Sequence, residues 1–112
     1  MAKRFLISTD TLGRGDDELG RVLMRNFMYS LARAGERPAS VTLMNGGVRL
    51  ACSGSEVLDD LRLLVDSGVA VKVCGTCLDY LRLSDSLAVG EVGTMVGAVD
   101  TLLGDDQVIS IA

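Results

Sequence analysis

The chain has 112 residues, a net charge of −4 at pH 7 and a hydrophobic fraction of 48%. The length predicts a single domain over residues 1–112, and the hydrophobic fraction is high enough for a core that needs no disulfide or metal. The acidic balance argues against nucleic-acid binding, which needs a basic surface stripe. No apolar run could span a membrane and residues 5–7 are too short for a signal peptide, so we expect a cytoplasmic protein without a membrane partner.

The cysteine and histidine counts narrow the possible chemistry. Three cysteines are present, Cys52, Cys74 and Cys77, and histidine is absent. An odd number of cysteines without a secretion signal is not a disulfide framework. Without histidine the chain lacks the usual general base and the commonest metal ligand. A structural zinc site needs four ligands, so three thiols predict no metal, and nothing else indicates a cofactor.

The first half of the chain begins with a short apolar run at residues 4–7, which predicts a buried strand. A polar loop with glycines follows, and Asp16, Asp17 and Glu18 open a helix where acidic residues suit the helix dipole. Gly35 predicts the end of this helix. Its apolar stripe comprises Leu19, Val22, Leu23, Phe27, Leu31 and Ala34, widened by Met24, Met28 and Tyr29.

Residues 40–44 predict a second strand, which ends at Asn45, Gly46 and Gly47. Residues 48–52 are ambiguous and fit one helical turn. Ser53 and Glu56 match a capping box, which predicts a helix starting there and ending near Gly68. The apolar face of this helix would be Val57, Leu58, Leu61, Leu64 and Val65.

The second half continues the alternation of strands and helices. We expect a strand up to Cys74, a short helix after it, a weak strand at residues 87–89, a helix over residues 93–103 and a last strand at 107–111. Such alternation is typical of an α/β fold with a parallel sheet and helices on both faces. The sequence contains no internal repeat and no linker.

The strongest chemical signal is the Cys-Gly-Thr-Cys motif at positions 74–77. Cys74 should lie at the carboxyl end of a strand, where ligand crevices form in open α/β sheets. Gly75 allows a tight path between the thiols, and Thr76 is a candidate cap for the next helix. Cys77, nearer the helix N-terminus, should then have the lower pKa. The alternative is two ordinary buried cysteines, since free cysteine is often buried.

Two loops should share the same edge of the sheet and are candidate binding elements. In the first, Asp10 and Arg14 could help to bind an anion, or the loop is only a capped turn. In the second, Asn45 and Gly46 could bring backbone N–H groups near the thiols. Cys52 could act as a third, resolving thiol, although a small core residue is the better interpretation.

Four segments resemble the DsrE-like domain of YedF proteins. The resemblance implies a three-layer α/β/α domain with a five-stranded parallel sheet, assembled as small homo-oligomers. It also implies a role in sulfur or selenium handling, with Cys74 and Cys77 as the thiols of interest. YedF proteins usually carry a TusA-like domain as well, so a TusA-like protein is an expected partner. The matching segments are residues 8–20, 54–58, 74–80 and 88–92.

These observations favour a sulfur or selenium carrier that works through a persulfide on one thiol of the pair, a sulfurtransferase-like role. Its partner would be a donor or acceptor protein. One alternative is a non-catalytic oligomeric module that binds a small anion or a partner protein, with structural cysteines. Another is a thiol-disulfide redox protein, although no tryptophan precedes the motif.

Overall fold

Five strands and four α-helices alternate along residues 2–112, the part of the chain that the computed structural model describes. Two 3-10 helices, Asn45–Ala51 and Ser84–Ser86, lie between them. The elements are β1 (Lys3–Ile7), α1 (Asp17–Arg33), β2 (Ser40–Leu43), α2 (Leu58–Asp66), β3 (Ala70–Cys74), α3 (Gly75–Tyr80), β4 (Glu91–Gly93), α4 (Met95–Leu102) and β5 (Gln107–Ile111).

The strands form one all-parallel sheet in the order β4-β3-β2-β1-β5. The chain steps outward from β1 to β4 and then returns through α4 to the opposite edge. Because parallel crossovers are right-handed, this reversal places α1 and α2 on one face and α4 on the other. The predicted fold class, an α/β domain with a five-stranded parallel sheet, is confirmed.

The main core lies between the sheet and the α1–α2 layer. On the central strands, Val41, Leu43 and Val73 are fully buried. They pack in one cluster with the helical side chains Met28 and Leu61. The alternate strand positions point to the α4 side and are more polar, which makes the two faces of the sheet chemically different.

Helix α1 starts where predicted, with Asp16 as its N-cap accepting the N–H of Leu19. Part of the predicted apolar face is buried, since Met24 and Met28 are in the core and Phe27 and Leu31 pack against it, but Leu19 and Leu23 are exposed. The buried residues of α1 are Gly20, Met24, Met28 and Ala32, whereas Leu19 is 54% exposed. The buried face lies against the preceding loop at Gly20. A Cβ on Gly20 would come within 2.8 Å of Thr11, and Leu12 donates its N–H to the Gly20 carbonyl at 3.0 Å.

Two other local predictions are wrong. Helix α2 begins at Leu58 and not at a Ser53 cap. A capping box needs the Ser53 N–H to bond to the Glu56 side chain, but this N–H bonds to the carbonyl of Ser86 at 2.8 Å and Glu56 is paired with Arg25. The weak strand at residues 87–89 is a single antiparallel bridge between Leu87 and Cys52. The strand that pairs with β3 follows later, at Glu91–Gly93. Non-local pairing of the 52–53 and 86–87 segments decides both outcomes.

No helix among residues 2–112 is long and apolar enough to cross a membrane.

A tight contact holds the turn after β2 against the end of β1. The Ile7 carbonyl accepts the Met44 N–H at 3.0 Å. The same carbonyl lies so close to Gly47 that a Cβ there would approach its oxygen to 2.3 Å. Only glycine fits at position 47 without a shift of the backbone. The close contact and the hydrogen bond to Met44 together hold the turn against the end of β1.

We expect Gly47→Ala to lower the free energy of unfolding by roughly 2–3 kcal/mol, because the added methyl group overpacks against rigid backbone. Gly35→Ala is the matched control, since no atom lies within 4 Å of its added Cβ, and it should change stability by less than about 0.5 kcal/mol. Urea unfolding measures both. Equal stabilities for the two variants would contradict this account of the turn.

Candidate functional site

Cys74 and Cys77 come together at the junction of β3 and α3. Cys74 is the last residue of β3 and also the N-cap of α3. Its Sγ accepts the N–H of Cys77 at 3.4 Å. Cys74 is 7% exposed, whereas Cys77 is half-buried. The predicted capping role of Thr76 is wrong, because Thr76 lies inside the helix and the thiol of Cys74 takes the capping position.

A second backbone amide reaches the pair from the turn after β2. Asn45 donates its N–H to the Sγ of Cys77 at 3.1 Å. Its φ of 48° is in the left-handed region, which asparagine tolerates better than most residues. The structure thus brings the predicted residues Asn45, Cys74 and Cys77 into one hydrogen-bonded cluster made from two different strand ends.

The pKa of Cys77 shifts in the direction opposite to the one expected from the dipole of the following helix. Burial raises the pKa of the Cys77 thiol, and the adjacent Cys74 side chain adds to the rise. The hydrogen bond from Asn45 acts in the opposite direction but does not cancel them. The helix dipole is short here, since α3 has six residues. At neutral pH Cys77 is therefore largely protonated.

Cys74 opens into a cavity of about 240 Å³ on the α4 side of the sheet. Thr42, Thr94, Thr101 and Lys72 line the same space. The Lys72 ammonium group is paired with Glu91 at 2.6 Å. We name this space the thiol cavity. It gives the Cys74 sulfur a polar chamber large enough for a few atoms of a second molecule.

Gly75 fixes the distance between α3 and the edge strand β4. A Cβ on Gly75 would come within 2.9 Å of the Val92 side chain and 3.5 Å of the Gly93 carbonyl. Val92 and Gly93 both line the thiol cavity. The glycine predicted to allow a tight path between the thiols therefore also sets the width of the cavity.

The first loop contributes less to this cluster than predicted. Asp10 contacts the turn after β2, since its backbone nitrogen would lie 3.7 Å from a Cβ on Gly46. Arg14 is exposed. Within residues 2–112 it forms no ion pair, and it lines none of the cavities of about 320, 270 and 240 Å³. The two predicted binding residues of this loop are therefore separated in the structure.

Cys52 is not part of the pair. Its thiol is buried and donates to the Val48 carbonyl at 3.2 Å. Burial raises the pKa of Cys52, and the Arg49 guanidinium partly opposes that rise. These contacts fit the small-core-residue interpretation. Among residues 2–112, no three carboxylate, thiol or imidazole side chains are grouped so that they could bind a metal ion.

The sequence pattern did not predict the threonines and the lysine that line the thiol cavity as residues of the site. Thr42 and Lys72 occupy matching positions on β2 and β3, and Thr94 caps α4 through a bond to the Gly97 N–H. A signal existed in the strands, where Thr42 and Lys72 interrupt apolar runs at alternate positions. Their grouping around a sulfur depends on strand order, which the sequence pattern does not give.

Comparison with solved structures identifies the fold. The ychN protein from E. coli, a DsrE/DsrF-like fold protein, matches 99% of this chain over its full length, with a TM-score of 0.66 and 22% identity. MTH1491 of Methanobacterium thermoautotrophicum, a protein of unknown function, has a TM-score of 0.68 and 23% identity, with 97% of each chain covered. BT1422 of Bacteroides thetaiotaomicron, also of unknown function, has a TM-score of 0.63 and 16% identity, covering 97% of this chain and 94% of its own.

No protein-family model matches the chain. No curated protein matches it either. The resemblance to proteins of DsrE/DsrF-like fold is therefore shown at the level of the fold.

The raised pKa of Cys77 predicts how its alkylation depends on pH. In a Cys52→Ser background, iodoacetamide labelling of Cys77 should have a midpoint above about 8.5, the ordinary pKa of a thiol. A higher pKa leaves less thiolate at neutral pH, so labelling at pH 7 should be slow. Cys74→Ala should move the midpoint down, because the neighbouring sulfur contributes to the rise. Peptide mass spectrometry separates the sites, and a midpoint below 8.5 would contradict the assignment.

Proposed function

We propose that this chain of DsrE/DsrF-like fold carries sulfur, or its heavier analogue selenium, as a persulfide on Cys74. One observation carries the proposal: Cys74 lines the thiol cavity, and its Sγ accepts the N–H of Cys77. A cysteine with a backbone donor aimed at its sulfur thus borders a space for a second molecule. Hydrogen bonds to a thiolate stabilise the charged form that reacts.

The loading step is a sulfur transfer between two thiolates. The Cys74 thiol loses its proton to solvent, and the resulting thiolate attacks the outer sulfur of a donor persulfide. The donor sulfur–sulfur bond breaks, the donor leaves as a thiolate, and Cys74 carries the outer sulfur as Cys–S–SH. No electrons are gained or lost overall, so the step needs neither an oxidant nor a metal.

Two routes would unload the sulfur. An acceptor thiolate can attack the outer sulfur, which regenerates the Cys74 thiolate. Alternatively, the Cys77 thiolate attacks the Cys74 sulfur, a disulfide forms between the two residues and hydrosulfide leaves. The second route leaves an oxidised pair, which an external dithiol must reduce. The raised pKa of Cys77 favours the first route at neutral pH, because little Cys77 thiolate is then present.

The choice of Cys74 as carrier follows from the surroundings of the two thiols. Cys77 does not line this cavity, and its pKa is raised. Cys74 instead borders a space that Lys72 and the threonines Thr42, Thr94 and Thr101 also line. The Thr101 hydroxyl donates to the Gly97 carbonyl, so the hydroxyls of Thr42 and Thr94 are the neutral donors for a persulfide anion, which carries its charge on the outer sulfur.

The resemblance to the DsrE-like domain of YedF proteins supports a protein partner of TusA-like type as donor or acceptor. A reducing compartment such as the cytoplasm would keep both thiols available, and all three cysteines are free. A direct exchange between two carriers would need only that the partner's thiol reach the thiol cavity.

Self-association is a further part of the proposal, with a second copy of the chain as the occupant of the outer face of α4. The apolar side chains on that face are exposed, Val96 at 73% and Leu103 at 80%. Only Ala98 of this helix is buried. Apolar patches of this extent are unusual on a monomer. Gly97 and Thr101 of the same helix line the thiol cavity. A second copy packed on the outer face of α4 would therefore hold in place the helix that forms one wall of the site.

Persulfide loading tests the proposal directly. After incubation with glutathione persulfide, the wild-type chain should gain the mass of one sulfur atom at Cys74. Cys77→Ser should keep the gain, Cys74→Ser should lose it, and the control Cys52→Ser should behave as wild type because its thiol is buried away from the pair. Intact-mass and peptide mass spectrometry measure the gain.

No gain at either cysteine of the pair, with both thiols reduced, would overturn the carrier function. A gain that persists in Cys74→Ser and disappears in Cys77→Ser would overturn the choice of thiol. A disulfide between Cys74 and Cys77 that forms readily with glutathione disulfide, without persulfide loading, would favour the thiol-disulfide redox alternative.

The self-association predicts a mass in sedimentation above the 11.8 kDa of one chain. Val96→Asp should shift the species to a monomer, because a charge would be buried in an apolar contact. Leu19→Asp, the same kind of change at an exposed residue of α1 on the other side of the sheet, is the control and should leave the assembly intact. A monomeric wild-type chain at micromolar concentration would contradict the proposal.

A further inference from the structure

A second and larger cavity lies on the opposite side of the sheet from the thiol cavity. Its volume is about 320 Å³, close to the lower end of known ligand pockets, which is roughly 300 Å³. It is formed by α1, by the 3-10 helix after β2 and by the segment of residues 52–57. We name it the arginine cavity. Cys74 and Cys77 do not line it, so it is separate from the proposed persulfide site.

The charges on this cavity contrast with those of the whole chain. Three arginines line it, Arg21, Arg25 and Arg49, against two acidic residues, Asp10 and Glu56. All three arginines are exposed, at the mouth of the cavity. The chain as a whole carries a net charge of −4. A local excess of positive charge on an acidic protein concentrates the field where an anion would bind.

Two of these arginines have no internal partner. Arg25 is paired with Glu56 at 2.6 Å. Across residues 2–112, by contrast, no carboxylate lies within ion-pair distance of Arg21 or Arg49, and neither side chain donates a hydrogen bond. The Arg49 charge does act inside the cavity, because it opposes the rise in the pKa of Cys52 in the cavity wall. A guanidinium group without an ion-pair partner can donate two parallel hydrogen bonds to the oxygens of a phosphate or carboxylate group.

The segment over residues 52–57 adds neutral donors to the same wall. Its Ser53 and Ser55 N–H groups bond to the carbonyls of Ser86 and Cys52. The N–H groups of Gly54 and Glu56 find no acceptor in the part of the chain that the structure describes. They remain available to an anion in the cavity, as backbone amides do in phosphate-binding loops.

The remaining wall is apolar. Met24, Leu50 and Val57 are all buried and all line the cavity. A ligand that fills the cavity would therefore place its charged group near the arginines and a small apolar portion against these three side chains. Sites for small organic molecules typically combine an apolar lining with a few charged groups in this way.

We propose that the arginine cavity binds a compact organic anion, with a phosphate or carboxylate group held by Arg21 and Arg49. The site is independent of the thiol pair. It gives the chain a small-molecule binding function in addition to the proposed sulfur carriage.

The test uses the full chain and three probes that share one aromatic ring: phenyl phosphate, benzoate and benzyl alcohol. Phenyl phosphate or benzoate should bind saturably in an amide NMR titration, with shifts at Gly54 and Glu56, and benzyl alcohol should not. The better of the two anions identifies the charged group. Raising the salt concentration should weaken the binding, because the attraction is electrostatic.

Arg21→Gln/Arg49→Gln should weaken the binding of the anion at least about tenfold, since two charge-assisted contacts are lost. Arg62→Gln is the matched control, because this exposed arginine of α2 pairs with Asp59 and does not line the cavity. Cys74→Ser should bind the probe as wild type does, which separates this result from the persulfide experiment. Thermal unfolding checks that each variant is folded.

Three outcomes would overturn the proposal: no saturable binding of either anion, equal affinity for benzyl alcohol, or unchanged affinity in a folded Arg21→Gln/Arg49→Gln variant. If that double variant does not fold, the single variant Arg49→Gln replaces it. Affinity in the single variant equal to that of wild type would be equally decisive against the site.

Discussion

The geometry of the thiol pair depends on the contact between the end of β1 and the turn after β2. The Ile7 carbonyl accepts the Met44 N–H, and Gly47 lies against the same oxygen. With the backbone held at both points, Asn45 adopts a left-handed conformation and directs its N–H at Cys77. A hydrogen bond to a sulfur on β3 and α3 is thus positioned by the pairing of two other strands.

The two faces of the sheet separate packing from chemistry. Alternation along β3 sends Val73 into the core and places Cys74 with Lys72 on the α4 side. Only one short helix covers that side, so a polar cavity remains beside the sulfur. On the α1–α2 side the core is closed, and the arginine cavity forms at its margin, where α1 meets the segment of residues 52–57. The thiol pair and the arginine cluster therefore occupy separate environments in one small domain.

The predictions that failed share a physical cause. The apolar residues of α1 are spread over more than one face, and the face that is buried carries Met24 and Met28 together with Gly20, which lies against Thr11 of the preceding loop. The predicted capping box at Ser53 does not form, because the N–H and the hydroxyl of Ser53 both bond to the carbonyl of Ser86, more than thirty residues away in the chain. In the same way, burial raises the pKa of Cys77, although its position in the first turn of a short helix would lower it. Each outcome depends on a partner distant in the chain.

Local patterns were sufficient for the order of strands and helices, the α/β class and the position of Cys74 at a strand end, because hydrophobic periodicity and glycine signals act over a few residues. Tertiary structure alone decided the strand order, the face that α1 buries, and the convergence of Asn45 on Cys77 and of Arg21 with Arg49. Those features arise from contacts between segments far apart in sequence, and the energy of such contacts is absent from any short window of the chain.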